Sequence, residues 1–151
     1  MKIRRILYAT DFSENAEVAW PHALEMGQQL GASVLLLHVI PAPAMVPETF
    51  LAAEQWAEIF AAQRREAEAK LRAVAAEAQG VKAEVLVTRG VPFLEIARVA
   101  AQRKADLIVM GTHGRTGLVH ALMGSVAERV VRIAPCPVLT VRHAAMQVAA
   151  A

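Results

Sequence analysis

The sequence predicts an α/β protein, a single domain built on an open, five-stranded parallel sheet with helices on both faces. Five short apolar segments alternate along the 151 residues with longer segments of helical pattern. One of them, residues 34–39, is apolar on both faces, which is typical of a parallel strand buried between two layers of helices. The chain is long enough for a substantial core and shows no internal repeat, so we expect one domain over residues 1–142.

The first strand is predicted over residues 3–10, and a helical pattern extends from Ala16 to Leu30. Asp11 and Glu14 have the spacing of a capping box, although Ser13 could equally cap this helix. Pro21 lies inside the pattern and can kink the helix. Gly31 is well placed to end it in the left-handed conformation.

The second strand is predicted over residues 33–40, followed by a proline-containing linker. Residues 48–79 are rich in good helix formers and predict the longest helix, which Gly80 ends. Its apolar stripe consists of Leu51, Ile59, Leu71 and Val74.

The second half of the chain repeats the alternation of strand and helix. Residues 81–88 alternate apolar and polar and predict an edge strand, and Pro92 begins the next helix. Residues 107–110 predict the fourth strand, which a glycine-containing loop connects to an amphipathic helix over residues 126–133. The fifth strand is predicted over residues 137–141 and a frayed tail over residues 143–151.

Composition and charge argue against several classes of protein. The net charge is +2, Lys and Arg are dispersed, and aromatic residues make up 5%, so neither a nucleic-acid partner nor a membrane surface is expected. No run of eighteen apolar residues predicts a membrane span, and the N-terminal residues lack the features of a signal peptide, so we expect a cytoplasmic protein. The single Cys136 excludes an internal disulfide and is best explained by packing.

The loop after the fourth strand has the arrangement that binds phosphate: a strand, a loop punctuated by glycines, and the N-terminus of a helix. It lacks the lysine of a Walker A loop, and it follows the wrong strand for a dinucleotide fingerprint. Three features fall at the carboxyl ends of predicted strands: Thr10-Asp11 follows the first, His38-Val39-Ile40 ends the second, and Met110-Gly111 ends the fourth. If the first and fourth strands are neighbours, these positions converge on one crevice.

These glycines and four further segments resemble the nucleotide-binding branch of the universal stress protein family. The signature of that family is Gly, two residues, Gly, nine residues, and then Gly with Ser or Thr; Gly111, Gly114, Gly124 and Ser125 fit it without a gap. The family's first, second, fourth and fifth strands are matched by residues 6–13, 35–39, 105–111 and 135–141. The matches occur in the same order across nearly the whole chain, which identifies it as a UspA-like member.

The resemblance implies a Rossmann-like sheet of the adenine nucleotide alpha hydrolase type, with strand order 3-2-1-4-5 and an ATP site. The residues implied at the adenosine are Ala9, Thr10, Asp11, Val39, Met110 and Gly111, with Asp11 near the ribose. Those implied at the phosphates are His113, Gly114, Gly124, Ser125 and Val126. Arg115 is a further candidate for the phosphates because it is the only strong cation in the loop. We expect no metal site formed by protein ligands alone, but a Mg²⁺ ion carried by the ATP phosphates near Asp11 or Ser125.

Several of these residues have a second interpretation. Asp11 could simply cap the first helix, and Ser125 with Glu128 forms a capping box whether or not phosphate binds. His113 could be solvated, and Arg115 could point to water instead of pairing with phosphate.

The leading functional prediction is an ATP-binding stress-response regulator or protective factor with at most slow hydrolysis, because no Walker lysine or well-motivated general base is found. One alternative is a weak ATPase or autophosphorylating enzyme, with Ser125 as a candidate acceptor. Another is a partner-binding module that binds AMP, a cyclic nucleotide or no nucleotide. The resemblance also implies a homodimer through the strand Val138–Val141, unless the C-terminal tail covers that edge, alongside an unknown regulatory partner.

Overall fold

A computed structural model describes residues 2–42, 53–113 and 123–143 of the chain. The strands are β1 (Arg5–Ala9), β2 (Ser33–Pro41), β3 (Ala83–Gly90), β4 (Leu107–Gly111) and β5 (Val138–Val141). The helices are α1 (Glu14–Glu17), α2 (Trp20–Leu30), α3 (Ala53–Ala76), α4 (Pro92–Gln102) and α5 (Ser125–Ile133). The predicted linker prolines Pro43 and Pro47, the stripe residue Leu51 and the tail residues 144–151 lie outside the described residues.

The five strands form one parallel sheet in the order β3-β2-β1-β4-β5, which confirms the predicted fold and strand order. β1 lies at the centre, where Leu7 is in register with Leu35 of β2 on one side and Ile108 of β4 on the other. β3 and β5 are the edges. From β1, the strands β2 and β3 are added on one side of the sheet and β4 and β5 on the other. The order of the strands therefore switches at β1, which β2 and β4 flank.

Helices cover both faces of the sheet because the central strands are apolar on both faces. Along β1, Ile6 and Tyr8 belong to a core cluster with residues of α2 and α3. Leu7 and Ala9 belong to a second cluster with residues of α4 and α5. Successive side chains of a strand point to opposite faces, so β1 contributes side chains to the core on each face of the sheet.

The single helix predicted over residues 16–30 is two helices in the structure. Ser13 is the N-cap of α1, and its hydroxyl accepts a hydrogen bond from the Ala16 amide at 3.2 Å, so the Ser13 alternative is confirmed. Pro21 lies in the first turn of α2, where the absence of its N–H costs nothing. Gly31 ends α2 in the left-handed conformation, as predicted, with φ of 62°.

α3 covers the sheet near the edge strand β3, and its apolar stripe is only partly buried. Leu71 is fully buried, but Ile59 is 41% exposed, so the predicted stripe is not buried along its whole length. Phe60 is half-buried, and the guanidinium of Arg89 lies 3.4 Å from the centre of its ring. The first half of α3 thus contributes little to the core.

The amino ends of β1 and β4 are joined by Asp106. Its Oδ2 atom accepts hydrogen bonds from the backbone amides of Arg4 at 2.8 Å and Arg5 at 3.0 Å. These two bonds hold the pKa of the carboxyl group below its usual value. Cys136 packs against the α4–α5 core cluster, and burial raises the pKa of its thiol, consistent with the predicted packing role.

At the edge strand β5, alternate backbone groups face β4. The Pro137 carbonyl accepts from the Ile108 amide at 3.0 Å, and the Val141 carbonyl accepts from the Thr112 amide at 2.9 Å. Because the backbone groups of a strand alternate in direction, those of Val138 and Thr140 point away from the sheet. This side of β5 is a row of donors and acceptors that β4 does not use.

Candidate functional site

A cavity of about 300 Å³ lies at the carboxyl edge of the sheet, between the ends of β1, β2 and β4 and the start of α5. Ten of the positions implied by the family resemblance line it: Ala9, Thr10, Asp11, Val39, Met110, Gly111, His113, Gly124, Ser125 and Val126. Gly114 and Arg115 lie outside the described residues. The position agrees with the rule that ligands of open parallel sheets bind beyond the strand ends at the switch point.

The end of β1 turns sharply to present Asp11 at the cavity. The Thr10 hydroxyl accepts from the Phe12 amide at 3.0 Å, and Asp11 Oδ1 accepts from the Ser13 amide at 3.0 Å and the Ser13 hydroxyl at 2.6 Å. Phe12 has a φ of 62°, which a residue with a Cβ rarely adopts. Asp11 does not cap α1 itself; its carboxylate holds Ser13, which does.

His38 supports this turn from β2 and was given no role by the sequence prediction. Its Nδ1 atom lies 2.8 Å from the Thr10 carbonyl oxygen. A carbonyl can only accept, so Nδ1 carries the proton and donates. The ring lies 4.4 Å from that of Phe12, tilted by 31°, and His38 is only 6% exposed.

Gly111, at the end of β4, allows α1 to pack closely against the sheet. A Cβ at this position would overlap the backbone oxygen of Asn15 and lie 2.9 Å from the Ala16 Cα. Gly111 therefore has a packing role besides the nucleotide contact implied by the resemblance. The two roles are connected, because α1 follows directly on the turn that carries Asp11, and packing α1 against Gly111 therefore helps to position that turn.

The N-terminus of α5 opens into the cavity, and its N-cap residue has no side chain with which to cap it. The N-cap is Gly124, and Ser125 is the first residue of the helix, so the predicted Ser125–Glu128 capping box was wrong. Glu128 instead accepts from Arg132 at 2.7 Å, one turn later. The amides of the first turn of a helix have no partner within the helix, and Ser125, Val126 and Ala127 all line the cavity.

The segment that leaves β4 is tied to both neighbouring elements. The Thr112 amide donates to Val141 of β5 at 2.9 Å, and the Thr112 carbonyl accepts from the Gly124 amide at 2.7 Å. His113 is 6% exposed, with its Nδ1 atom 3.0 Å from the Thr112 hydroxyl, so it is not a solvated side chain. These contacts fix the two ends of the glycine loop, next to the start of α5.

Part of the cavity lining is an apolar wall, which includes residues that the sequence prediction missed. Pro41, Pro92 and Ile96 line it beside Val39 and Met110. The two prolines lie fifty-one residues apart in the sequence. They come together because Pro41 of β2 pairs in register with Gly90 of β3, just before α4 begins. No local pattern in the sequence could identify this wall.

Charge is sparse around the cavity. Of the lining residues that the structure describes, only Asp11 carries a formal charge at neutral pH. The described part of the chain contains no group of three or more His, Cys, Asp or Glu side chains that could hold a metal ion. None of the described helices has the length and apolarity needed to cross a membrane.

Comparison with known proteins matches nearly the whole chain to one family. The family model described as Universal stress protein family matches residues 2–142. The universal stress protein MJ0531 of Methanocaldococcus jannaschii is 40% identical over 142 residues, which cover 92% of this chain and 82% of that protein. A universal stress protein of Thermus aquaticus is 38% identical over 141 residues, with 92% and 98% covered.

Several solved structures of proteins from this family have the same fold as this chain. The structure of MJ0577, a protein of the same archaeon, superposes with a TM-score of 0.83 at 34% identity, covering 95% of this chain and 98% of that one. A universal stress family protein of Arabidopsis thaliana, solved with AMP bound, shares the fold with a TM-score of 0.67 at 20% identity, covering 94% of each chain. Another protein of this fold was solved in complex with cAMP.

Proposed function

Because the chain belongs to the universal stress protein family, we propose that its cavity binds an adenine nucleotide and that the physiological ligand is ATP with Mg²⁺. One observation carries the proposal: a cavity of about 300 Å³ is lined both by the first-turn residues of α5, whose N-cap Gly124 has no side chain, and by apolar side chains. Phosphate is stabilised by free helix amides, and a purine ring by apolar side chains. The AMP and cAMP complexes of more distant proteins with this fold support the same class of ligand.

The cavity offers each part of a nucleotide a suitable surface. The adenine ring fits between Val39 and Met110, where the wall is apolar. The Asp11 carboxylate accepts hydrogen bonds from ribose hydroxyls, and Ala9 below it leaves room for the sugar. The phosphates lie against the first-turn amides of α5, with Ser125 available as a hydroxyl donor.

Further phosphate contacts are proposed for His113 and Gly114, which the family resemblance implies, and for Arg115, the strong cation of the glycine loop. His113 lines the cavity, whereas the other two lie outside the described residues. The Mg²⁺ ion travels with the ATP phosphates and needs few protein ligands, of which Asp11 is the nearest candidate carboxylate. Because α5 supplies only partial positive charge, Mg²⁺ and Arg115 are needed to neutralise a triphosphate.

We propose that ATP is a signal and not primarily a substrate. Rapid phosphoryl transfer needs an oriented nucleophile and a cation at the γ-phosphate, and no lysine or arginine is among the described residues that line the cavity. Binding stabilises the liganded conformation and can change a partner surface, so occupancy reports the ATP level. The protein then acts as a stress-response regulator or protective factor.

The enzymatic alternative rests on the Ser125 hydroxyl, which is not used as a helix cap. A timed assay for released phosphate and for protein-bound label separates the two functions. We expect turnover well below about 1 s⁻¹, the low end for typical enzymes, and no stoichiometric labelling of Ser125. Faster turnover or complete labelling would favour the enzyme.

We propose further that two copies pair through β5 to form a homodimer, as the resemblance implies. The outward-facing backbone groups of Val138 and Thr140 support this, because an unpaired edge strand is a template for another strand. The alternative, in which the C-terminal tail covers this edge within the monomer, concerns residues outside those described. The cytoplasmic location stays a prediction.

Equilibrium dialysis with labelled ATP and Mg²⁺ tests the nucleotide proposal. Ser125→Asp places a negative charge at the start of α5, which favours the helix but repels phosphate, so we expect about a tenfold or greater loss of ATP affinity. Gln55→Glu is the matched control, since it adds one negative charge near the start of α3, away from the cavity, and should leave the affinity unchanged. Absence of wild-type binding at millimolar ATP, or equal effects of the two variants, would contradict the proposal.

A further inference from the structure

We propose that His38 is a positioning residue for nucleotide binding: it holds the turn that presents Asp11 and so sets the affinity for the ribose. This inference rests on the proposed function and adds a residue to which the family resemblance gave no role. His38 reaches the turn from β2 and touches two of its residues, Thr10 and Phe12.

The first contact fixes a peptide plane. The Thr10 carbonyl and the Asp11 amide belong to the same planar peptide unit, so fixing one fixes the other. The Thr10 amide donates to Leu37 at 3.0 Å, and the Thr10 carbonyl accepts from His38 Nδ1 at 2.8 Å. β2 therefore holds both sides of Thr10, and Asp11 leaves the sheet in a fixed direction.

The second contact holds a strained residue. Phe12 has a φ of 62°, a conformation that is unfavourable for a residue with a Cβ. Its amide donates to the Thr10 hydroxyl at 3.0 Å, and its ring packs on the His38 imidazole with 4.4 Å between ring centres. Without the imidazole, the turn can relax towards a more common backbone conformation, which would redirect the Asp11 carboxylate.

Position 38 therefore needs both a donor and a flat group. The Asn side chain places an N–H donor close to where Nδ1 of His lies, whereas Phe keeps the flat ring but has no donor. These two substitutions separate the hydrogen bond from the ring contact. His38 is 6% exposed, so a residue without a donor also leaves the Thr10 carbonyl unpaired in a buried position.

The test compares ATP with 2′,3′-dideoxy-ATP in wild type, His38→Phe and His38→Asn. Wild type is expected to prefer ATP because of Asp11. His38→Phe should lose about tenfold in ATP affinity, as expected for a lost buried hydrogen bond, and should bind both nucleotides almost equally. His38→Asn should restore most of the preference. Leu71→Val, a core substitution in α3 that does not line the cavity, should keep it.

Hydrogen exchange on the nucleotide-free protein provides a readout that does not depend on binding. His38→Phe should exchange the Phe12 and Ser13 amides at least several-fold faster than wild type, and His38→Asn should restore their protection. Unchanged exchange in His38→Phe, or a retained preference for ATP, overturns the positioning role. If wild type binds neither nucleotide while the exchange rates change as expected, the proposed function fails and the role of His38 in the turn stands.

Discussion

Replacing Gly111 by alanine tests the closest backbone contact near the site. The added Cβ would overlap the Asn15 carbonyl oxygen and lie 2.9 Å from the Ala16 Cα. Carbon atoms pack best at 3.5–4.0 Å, so α1 must retreat from β4 by about 0.6 Å or more. α1 cannot move freely, because Ser13 caps it and the Tyr8 hydroxyl donates to the Ala16 carbonyl at 3.4 Å. Burial raises the pKa of Tyr8 to about 12, so this hydroxyl remains protonated at ordinary pH.

Overpacking of this kind typically costs about 1–3 kcal/mol, and the clash here is with backbone, so we expect Gly111→Ala to cost about 2–3 kcal/mol. In a chain of this size, that lowers the melting temperature by roughly 5–10 °C, which circular dichroism can measure. Gly27→Ala is the matched control: its Cβ would meet side-chain methyl groups at 3.1 and 3.2 Å and the Ala32 carbonyl oxygen at 3.4 Å, and alanine is the better helix former. A Gly111→Ala protein as stable as Gly27→Ala would refute the packing role.

Three further predictions follow from individual contacts. Asp11→Asn keeps an oxygen to hold Ser13 but loses the carboxylate charge, so ATP affinity should fall about five- to tenfold in equilibrium dialysis; an unchanged affinity would exclude the ribose contact. The pKa of Asp106 is lower in the folded protein than in the unfolded chain, where it is near 3.8. Its contribution to the stability of the fold is therefore present at pH values above 3.8, and it is lost as the pH falls through the pKa of the folded state. Asp106→Asn should therefore cost about 1 kcal/mol in urea unfolding at pH 7 and less at pH 2–3, and an equal cost at both would contradict this. Thr140→Pro removes an amide that faces away from β4, so it should dissociate the dimer in sedimentation experiments with little loss of fold. Leu139→Pro is the control and should destabilise the fold itself. A Thr140→Pro protein that remains a dimer would argue against pairing through β5.

The sequence predicted the sheet well because strands and their order are recorded in local patterns and in the family resemblance. The run from Val34 to Ile40 is apolar at nearly every position, as only a strand covered on both faces can be, and all of these residues are buried. Gly31 ends its helix as predicted, because the left-handed conformation depends mainly on the residue itself and little on distant parts of the chain.

The errors have physical causes of two kinds. At helix starts, several residues compete for one role: Gly124 is the N-cap of α5, although Ser125 is the better capping residue by type. Elsewhere the answer depends on distant parts of the chain. Ile59 fits an apolar stripe but lies on the part of α3 that extends beyond the core, so it is 41% exposed.

The candidate site shows the same division. The site residues at the strand ends were predicted from the family resemblance, and the end of each strand is visible in the sequence. Pro41 and Pro92 could not be predicted, since they meet only through the pairing of β2 with β3. The sequence placed His38 at the crevice but could not predict its hydrogen bond to the Thr10 carbonyl, because Thr10 lies twenty-eight residues away along the chain.

The central claim is that the cavity at the carboxyl edge of the sheet holds an adenine nucleotide, and an NMR titration with ATP and Mg²⁺ tests it most directly. The account predicts saturable shifts in the methyl groups of Val39 and Met110 and in the amides of Ser125 and Val126, all of which line the cavity. The methyl groups of Ile59, on the exposed part of α3, should not shift. No shifts at millimolar ATP, or shifts confined to residues outside the cavity, would contradict the claim.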